Sequence, residues 1–492
     1  MVSTDTKTEA LRPDSRPSPR GRAAAVGIAS FTLLSAVYAL WLLALYPGIL
    51  TGDSLNQWEQ AQTFRFDNWH PYLYALIMAG LKHLWYSPSA MAVLQLVLTA
   101  FVVAAVTRFA FVRGVPLPVL ALFAGAYALH PQIGLYSVTI WKDVLFGIII
   151  IAEAALLFLL VDRGGRAAWW PYLALGFLSG ACVLIRFNGV LELVLPPLLL
   201  LAFRLDAKRV AVTFLVGLLT YGFFGVVLFR ALHVGSPAIE IDQLKVKEVA
   251  AIYSSDRPNL TDGQRAVFES MWPAATWRSE YSPLSSDGLF FGRFRYLKPI
   301  GNPHGARGVA DPAFYERWNR AVAGAIVRNP SAVLLDKWRQ ARAMLTLADV
   351  APAAAGRAPT NWVVEAGRYP RLDTVMPASR YPALQRLVMR YLAWSGRGVQ
   401  RRLLWTMLVP LAAYAAILAV AIARRLRATI AFVSFVLVNA AFTVAVSPAS
   451  DRRYLYFCAL AVFAAGLLAY VDLLARQREA SEPAVPHEQA AA

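Results

Sequence analysis

Residues 23–46 read AAAVGIASFTLLSAVYALWLLALY, and the chain then turns polar through Pro47-Gly48-Ile49-Leu50-Thr51-Gly52-Asp53-Ser54-Leu55-Asn56-Gln57. A helix rises about 1.5 Å per residue, so some 20 apolar residues cross a hydrocarbon core of about 30 Å. The run is uncharged, longer than the apolar core of a signal peptide, and lacks a cleavage site, so it reads as a first transmembrane helix that stays in place. Further apolar runs lie near 71–85, 88–107, 115–130, 143–162, 168–185, 189–204, 209–230, 402–423, 428–447 and 454–474. Over all 492 residues, 58% are hydrophobic and only 16% charged. A soluble domain carries roughly 25% charge, and disordered chains are poor in apolar residues. The fold class is therefore an all-α polytopic membrane protein.

The formal net charge is +18, which in such a protein reflects cytoplasmic loops and contact with anionic lipid; no nucleic-acid partner is expected. The two cysteines, Cys182 and Cys458, both lie in apolar runs, so no disulfide framework is expected.

The positive-inside rule orients the runs. The basic clusters are the N-terminal tail, Arg108 with Arg113, Arg163 with Arg166, Arg204 with Lys208 and Arg209, Arg424 with Arg425 and Arg427, and Arg476 with Arg478. All are cytoplasmic together only if 71–85, which is short, holds Lys82 and His83 and begins at His70-Pro71, does not cross. That leaves about ten spans plus a short interfacial helix, with both termini cytoplasmic; a count of eleven would put the Arg424 and Arg476 clusters on opposite faces. The expected organisation is a disordered tail at 1–22, a transmembrane module at 23–230 with a first outer loop at 47–70, a helical extracytoplasmic insert at 231–401, C-terminal transmembrane helices at 402–475, and a disordered tail at 476–492. Within the insert, 241–252 and 311–327 have helical periodicity.

This topology gathers ionisable residues on the outer face: Asp53 and Gln57, then Trp69-His70, Trp141-Lys142-Asp143, Arg186-Phe187-Asn188-Gly189, and Asp451-Arg452-Arg453-Tyr454. Each alone has a structural explanation. Asp53 after a glycine suits a turn or helix cap, Lys142 could snorkel, and His70 and His130 suit structural roles. Trp69 and Trp141 fit an interfacial belt and are assigned no chemistry. Arg186, Arg452 and Arg453 are outer arginines and break the charge bias. Ionisable residues at membrane depth are costly and default to function. Arginine and lysine neutralise phosphate, and a carboxylate can take a proton from a hydroxyl. If a lipid phosphate is the leaving group, cations alone stabilise it.

In these motifs the chain resembles the GT-C class of integral-membrane glycosyltransferases, which use polyprenyl-phosphate sugars. The likeness rests on Asp53 in the first outer loop with His70-Pro71 downstream, on Asp143 opening a later helix, on the Arg-Phe-Asn-Gly turn, and on the Arg453-Tyr454 pair before the last helix. It covers about 1–230, and 402–475 more loosely. The resemblance implies a transferase, inverting in a single displacement, with Asp53 as catalytic base and Asp143 as the second acid. It implies Lys142, Arg186 and Arg453 as phosphate ligands, with His70, Gln57, Asn188 and Tyr454 beside the substrate. The implied partners are a polyprenyl-phosphate-linked sugar donor, a glycan, lipid or protein acceptor, and membrane lipids. No cofactor is assigned; a divalent metal lacks support because no acidic pair flanks Asp143. The implied location is a bacterial plasma membrane with the site facing outward. A transporter or flippase for a lipid-linked or anionic substrate is the competing reading, although no internal repeat is visible.

Overall fold

The computed structural model describes residues 18–235, 240–286, 289, 312–346 and 381–481. The tails expected at 1–22 and 476–492 fall largely outside that range. The first helix already begins at Pro19 and the last continues to Ser481. Among the described residues the chain is helical, with three isolated β-bridges and no strand.

Helix α1 (Pro19–Ala44) starts where the Ser18 side chain accepts from the Gly21 amide at 3.1 Å and Pro19 takes the first turn. It is followed by α2 (Gly52–Thr63), α3 (Leu73–Leu84), α4 (Ser89–Val112), α5 (Leu117–Leu129), α6 (Pro131–Ser137), α7 (Lys142–Arg163), α8 (Trp170–Ile185), α9 (Leu195–Ala202) and α10 (Ala207–Gly222). Six helices are long and apolar enough to cross a membrane: α1, α4, α7, Ala207–Ala231, Arg427–Val446 and Arg452–Ser481. Two bent pairs raise this to eight if each is one span. They are α5 with α6, bent by 60°, and Gly398–Trp405 with Leu408–Ala423, bent by 56°. The protein is thus a polytopic helical membrane protein.

Two apolar runs take a form of their own. The run 71–85 becomes α3, whose 12 residues reach only about 18 Å, short of a hydrocarbon core. Its Lys82 donates to the Ala61 and Gln62 carbonyls at 2.6 and 3.2 Å, placing a cation at the C-terminal end of α2. The run 189–204 was expected as one helix. It is instead a 3-10 segment, Phe187–Leu193, followed by the eight-residue α9. Gly189 explains the docking of that segment on α8, because a Cβ there would stand 2.4 Å from the Cys182 carbonyl oxygen. Pro196 and Pro197 then remove two amide donors from the helix that follows.

Helix α7 is the hub. It is buried on nearly every side, against α4, α8, Arg427–Val446 and Tyr456–Ser481. Its all-round apolar sequence suits that place. Helices α8 and α10 approach backbone to backbone through Gly176 and Gly180, the small-xxx-small arrangement that lets transmembrane helices touch. A Cβ at Gly180 would lie 2.5 Å from the Gly217 carbonyl oxygen. The Gly180→Ala variant should therefore lose about 1–3 kcal/mol, seen as a lowered unfolding temperature in detergent. An unchanged temperature would show that the helices do not meet there.

The insert has its own core, built on Tyr253, Phe268, Trp277 and Trp318. It comes from helices Glu240–Tyr253, Asp262–Glu269, Ala274–Ser279 and Pro312–Arg328, so both stretches of helical periodicity form helices. Lys247 pairs with Asp336 at 3.0 Å and Lys337 with Glu248 at 2.8 Å, fastening helix Pro330–Leu345 to Glu240–Tyr253. Gln340 on that helix donates to the Ser447 and Ala449 carbonyls at 2.6 and 3.2 Å. The insert therefore grips the loop that leads to Arg453. Pro382–Ser395 packs on α1 instead, with Leu392 in the main core.

Candidate functional site

Two loops distant in sequence are joined first. The Ile49 amide donates to Val138 O at 2.9 Å, and the Ile140 amide donates to Ile49 O at 2.8 Å. Gly48 makes the approach with φ +109°, a region that favours glycine, and a Cβ there would meet Val138 O at 3.0 Å. Ser54 accepts from the Thr51 amide at 3.1 Å and donates to Ile140 O. The start of α2 is thereby stitched to the start of α7. Asp53 lies in the first turn of α2 and Asp143 in the first turn of α7, where unpaired amides and the helix dipole favour a carboxylate.

A third segment supplies the bridge. Arg453 sits in the 3-10 turn Arg452–Leu455 that opens the last helix. Its Nη2 is 2.9 Å from Asp53 Oδ2, and its Nε is 2.9 Å from Asp451 Oδ2 and 3.9 Å from Asp143 Oδ2. One guanidinium thus spans three carboxylates. Asp143 also forms an ion pair with Arg186 at the C-cap of α8. His70 links the remaining groups, with Nε2 3.4 Å from Asp53 Oδ1 and Nδ1 against Lys142 Nζ. An ammonium only donates, so Nδ1 accepts and the ring proton is on Nε2, facing Asp53.

The two acids differ in access. The Asp53 side chain keeps 30% of its surface exposed, whereas Asp143 keeps 2%. Asp53 can meet an incoming molecule; Asp143 can only orient what surrounds it. Burial pushes the Asp53 carboxyl up, but the charges of Arg453 and Lys142 and the hydrogen bond from His70 override it and hold it well below the usual carboxylate range. A folded-state value below the unfolded one stabilises the fold above the unfolded value, and that contribution is lost as pH falls through the folded one. Asp53 should therefore add nothing pH-dependent near neutrality and destabilise the protein only below about pH 4. Thermal unfolding against pH tests this: Asp53→Asn should flatten the acid limb, and an identical limb would remove Asp53 from the ion cluster.

The other expected residues are close, with one exception. Arg186 Nε donates to Asn188 Oδ1 at 2.9 Å, and Asn188 Nδ2 donates to Thr443 Oγ1 at 2.9 Å. The Arg186 guanidinium lies 4.5 Å from the Tyr454 ring centroid and that of Arg453 lies 5.3 Å from it. Gln57, one turn beyond Asp53, is buried, and its amide has no hydrogen-bond partner among the described residues, so no contact ties it to the ion cluster. Arg452 faces away and donates to the Trp405 carbonyl at 2.8 Å.

Sequence reading missed four groups. Trp141, assigned only to an interfacial belt, donates from Nε1 to Thr51 Oγ1 at 2.7 Å and lies 5.1 Å beneath the Arg453 guanidinium. Asp451 both caps the Arg453 amide and pairs with its side chain. Glu153 in α7 and Glu192 in the 3-10 segment are fully buried neighbours; Ser179 donates to Glu153 Oε1 at 2.7 Å, and neither Glu192 oxygen has a hydrogen-bond partner among the described residues. The available signal was a lone acid in each of two apolar runs. Among the described residues no group of three or more His, Cys, Asp or Glu side chains is placed to hold a metal ion.

No family model, curated protein or solved structure matches this chain.

Proposed function

We propose that the protein is a membrane glycosyltransferase. It moves a sugar from a polyprenyl-phosphate donor to an acceptor hydroxyl, with inversion. The observation that carries this reading is the convergence of Asp53 and Asp143 on one arginine, ringed by Arg186, Lys142 and His70, at one end of an apolar bundle. In this scheme Asp53, the exposed acid, accepts the hydroxyl proton as attack begins at the anomeric carbon. Its present ion pairs leave it ionised but weakly basic. A donor phosphate that draws Arg453 and Lys142 towards itself would relieve that hold and raise the carboxyl's proton affinity as the reaction complex assembles. Asp143 holds Arg186 and Arg453 in place, and these cations with Lys142 stabilise the departing phosphate. The topology that goes with this reading has ten spans, formed by the eight counted above together with α8 and the Phe187–Ala202 segment, both shorter than a bilayer core. Both termini and the inner arginine clusters then lie in the cytoplasm of a bacterial cell and the site faces outward.

The test is the purified protein in vesicles supplied with a panel of polyprenyl-phosphate sugars and candidate acceptors. Release of free polyprenyl phosphate with sugar on an acceptor is the expected result; no turnover of any donor would defeat the reading. A second reading, a transporter, draws on the Glu153–Glu192 pair, since buried acids in a bundle serve as proton sites in transporters. In sealed vesicles it predicts substrate crossing without covalent change.

A further inference from the structure

Helices α4, α7 and α8 enclose a lateral groove of about 560 Å³ at the end of α7 remote from Asp143. Phe101 and Val102 of α4, Leu156 of α7 and Leu178 of α8 form its walls. It opens sideways, since Phe101, Val112 and Trp170 on its border are 61%, 64% and 58% exposed. Arg108 and Arg163 line the same groove and are exposed. Of the nearby acids, Asp162 pairs with Arg113 and is only more weakly influenced by Arg163, and Asp472 accepts from Thr429. An apolar trough in a membrane-facing wall thus ends in two cations with an indole beside them. Its size falls within the ~300–1,000 Å³ of small-molecule sites, and its length along the helices suits an acyl chain.

We propose that this groove is a binding site for an anionic glycerophospholipid, with an acyl chain between α4, α7 and α8 and the phosphate on Arg108 and Arg163. Charge complementarity selects the occupant: a zwitterionic lipid would bring its own cation to the arginines, and an anionic headgroup would not. The donor lipid of the proposed reaction is not the occupant, because its cationic cluster stands some 21 residues away along α7, about 31 Å. The proposal does not rest on the transferase reading.

Native mass spectrometry of the full-length protein, titrated with phosphatidylglycerol and with phosphatidylcholine of identical chains, tests it. The native protein should retain phosphatidylglycerol at least about tenfold better, the scale set by two arginines near a headgroup. The Arg108→Gln/Arg163→Gln protein should bring the two lipids within about twofold, and single Arg108→Gln serves if the pair does not fold. Ala155→Phe, which fills the groove but keeps both arginines, should release both lipids. Equal retention by the native protein, an unchanged preference after arginine removal, or full retention in the filled variant would each overturn the site. So would displacement of phosphatidylglycerol by polyprenyl phosphate at equal concentration, which would make the groove a carrier site.

Discussion

Asp53→Asn is expected to lower sugar transfer by about 10²-fold or more, the usual worth of a positioned base, equivalent to about 2.7 kcal/mol or more in the barrier. The substitution keeps the shape of the side chain but removes its negative charge, and with it the capacity to accept a proton. The fold should survive, because Arg453 retains Asp451 and Asp143 as partners and Asp53 is partly exposed. Donor binding should change little, since the cations that would hold the phosphate remain. Initial rates with saturating donor, set beside the unfolding temperature of the same preparation, make the measurement. Near-normal turnover would falsify the role of Asp53 as base while leaving the ion cluster intact. A fall in rate that tracks a fall in unfolding temperature would assign the residue to structure instead.

Arg186→Ala should have the largest effect on stability, about 3–5 kcal/mol, the usual cost of stranding one partner of a buried pair. Asp143 is almost wholly buried, and its contact with Arg453 Nε, at 3.9 Å, is too long to replace Arg186. The loss comes mainly from the buried, undercompensated carboxylate, so neutralising that carboxylate should reverse it. The double variant Arg186→Ala/Asp143→Asn should recover most of the stability yet remain deficient in donor affinity. Denaturant unfolding of the two single variants and the double one closes the cycle. Additive losses would mean that the two side chains do not interact. Unchanged donor affinity in the stable double variant would return Arg186 to a purely structural role.

The outline of the bundle was legible along the chain, because lipid leaves few options: backbone groups must be satisfied within a helix, and helices of sufficient length must be apolar. Arg186 and Arg453 stood out for the same reason, as charges beside apolar runs too costly to leave unexplained. Trp141 was misjudged because an interfacial tryptophan and a tryptophan beneath a guanidinium share one local pattern. Glu153 and Glu192 were overlooked because each is a single letter in an apolar run, and only their proximity in the folded bundle sets them apart from isolated acids. The run 189–204 was read as one helix because hydropathy does not register the close approach of Gly189 to α8.

Composition and spacing alone established the class of the protein, most of its long helices, and which acids and bases stand near helix ends. They could not establish that Asp53, Asp143 and Arg453, drawn from three stretches up to 400 residues apart, meet. That meeting depends on the Ile49–Ile140 backbone pairing and on the insert's hold over the loop before Arg453. Hydropathy is a property of neighbours along the chain, whereas ion pairing acts through space, and only the packed bundle converts one into the other.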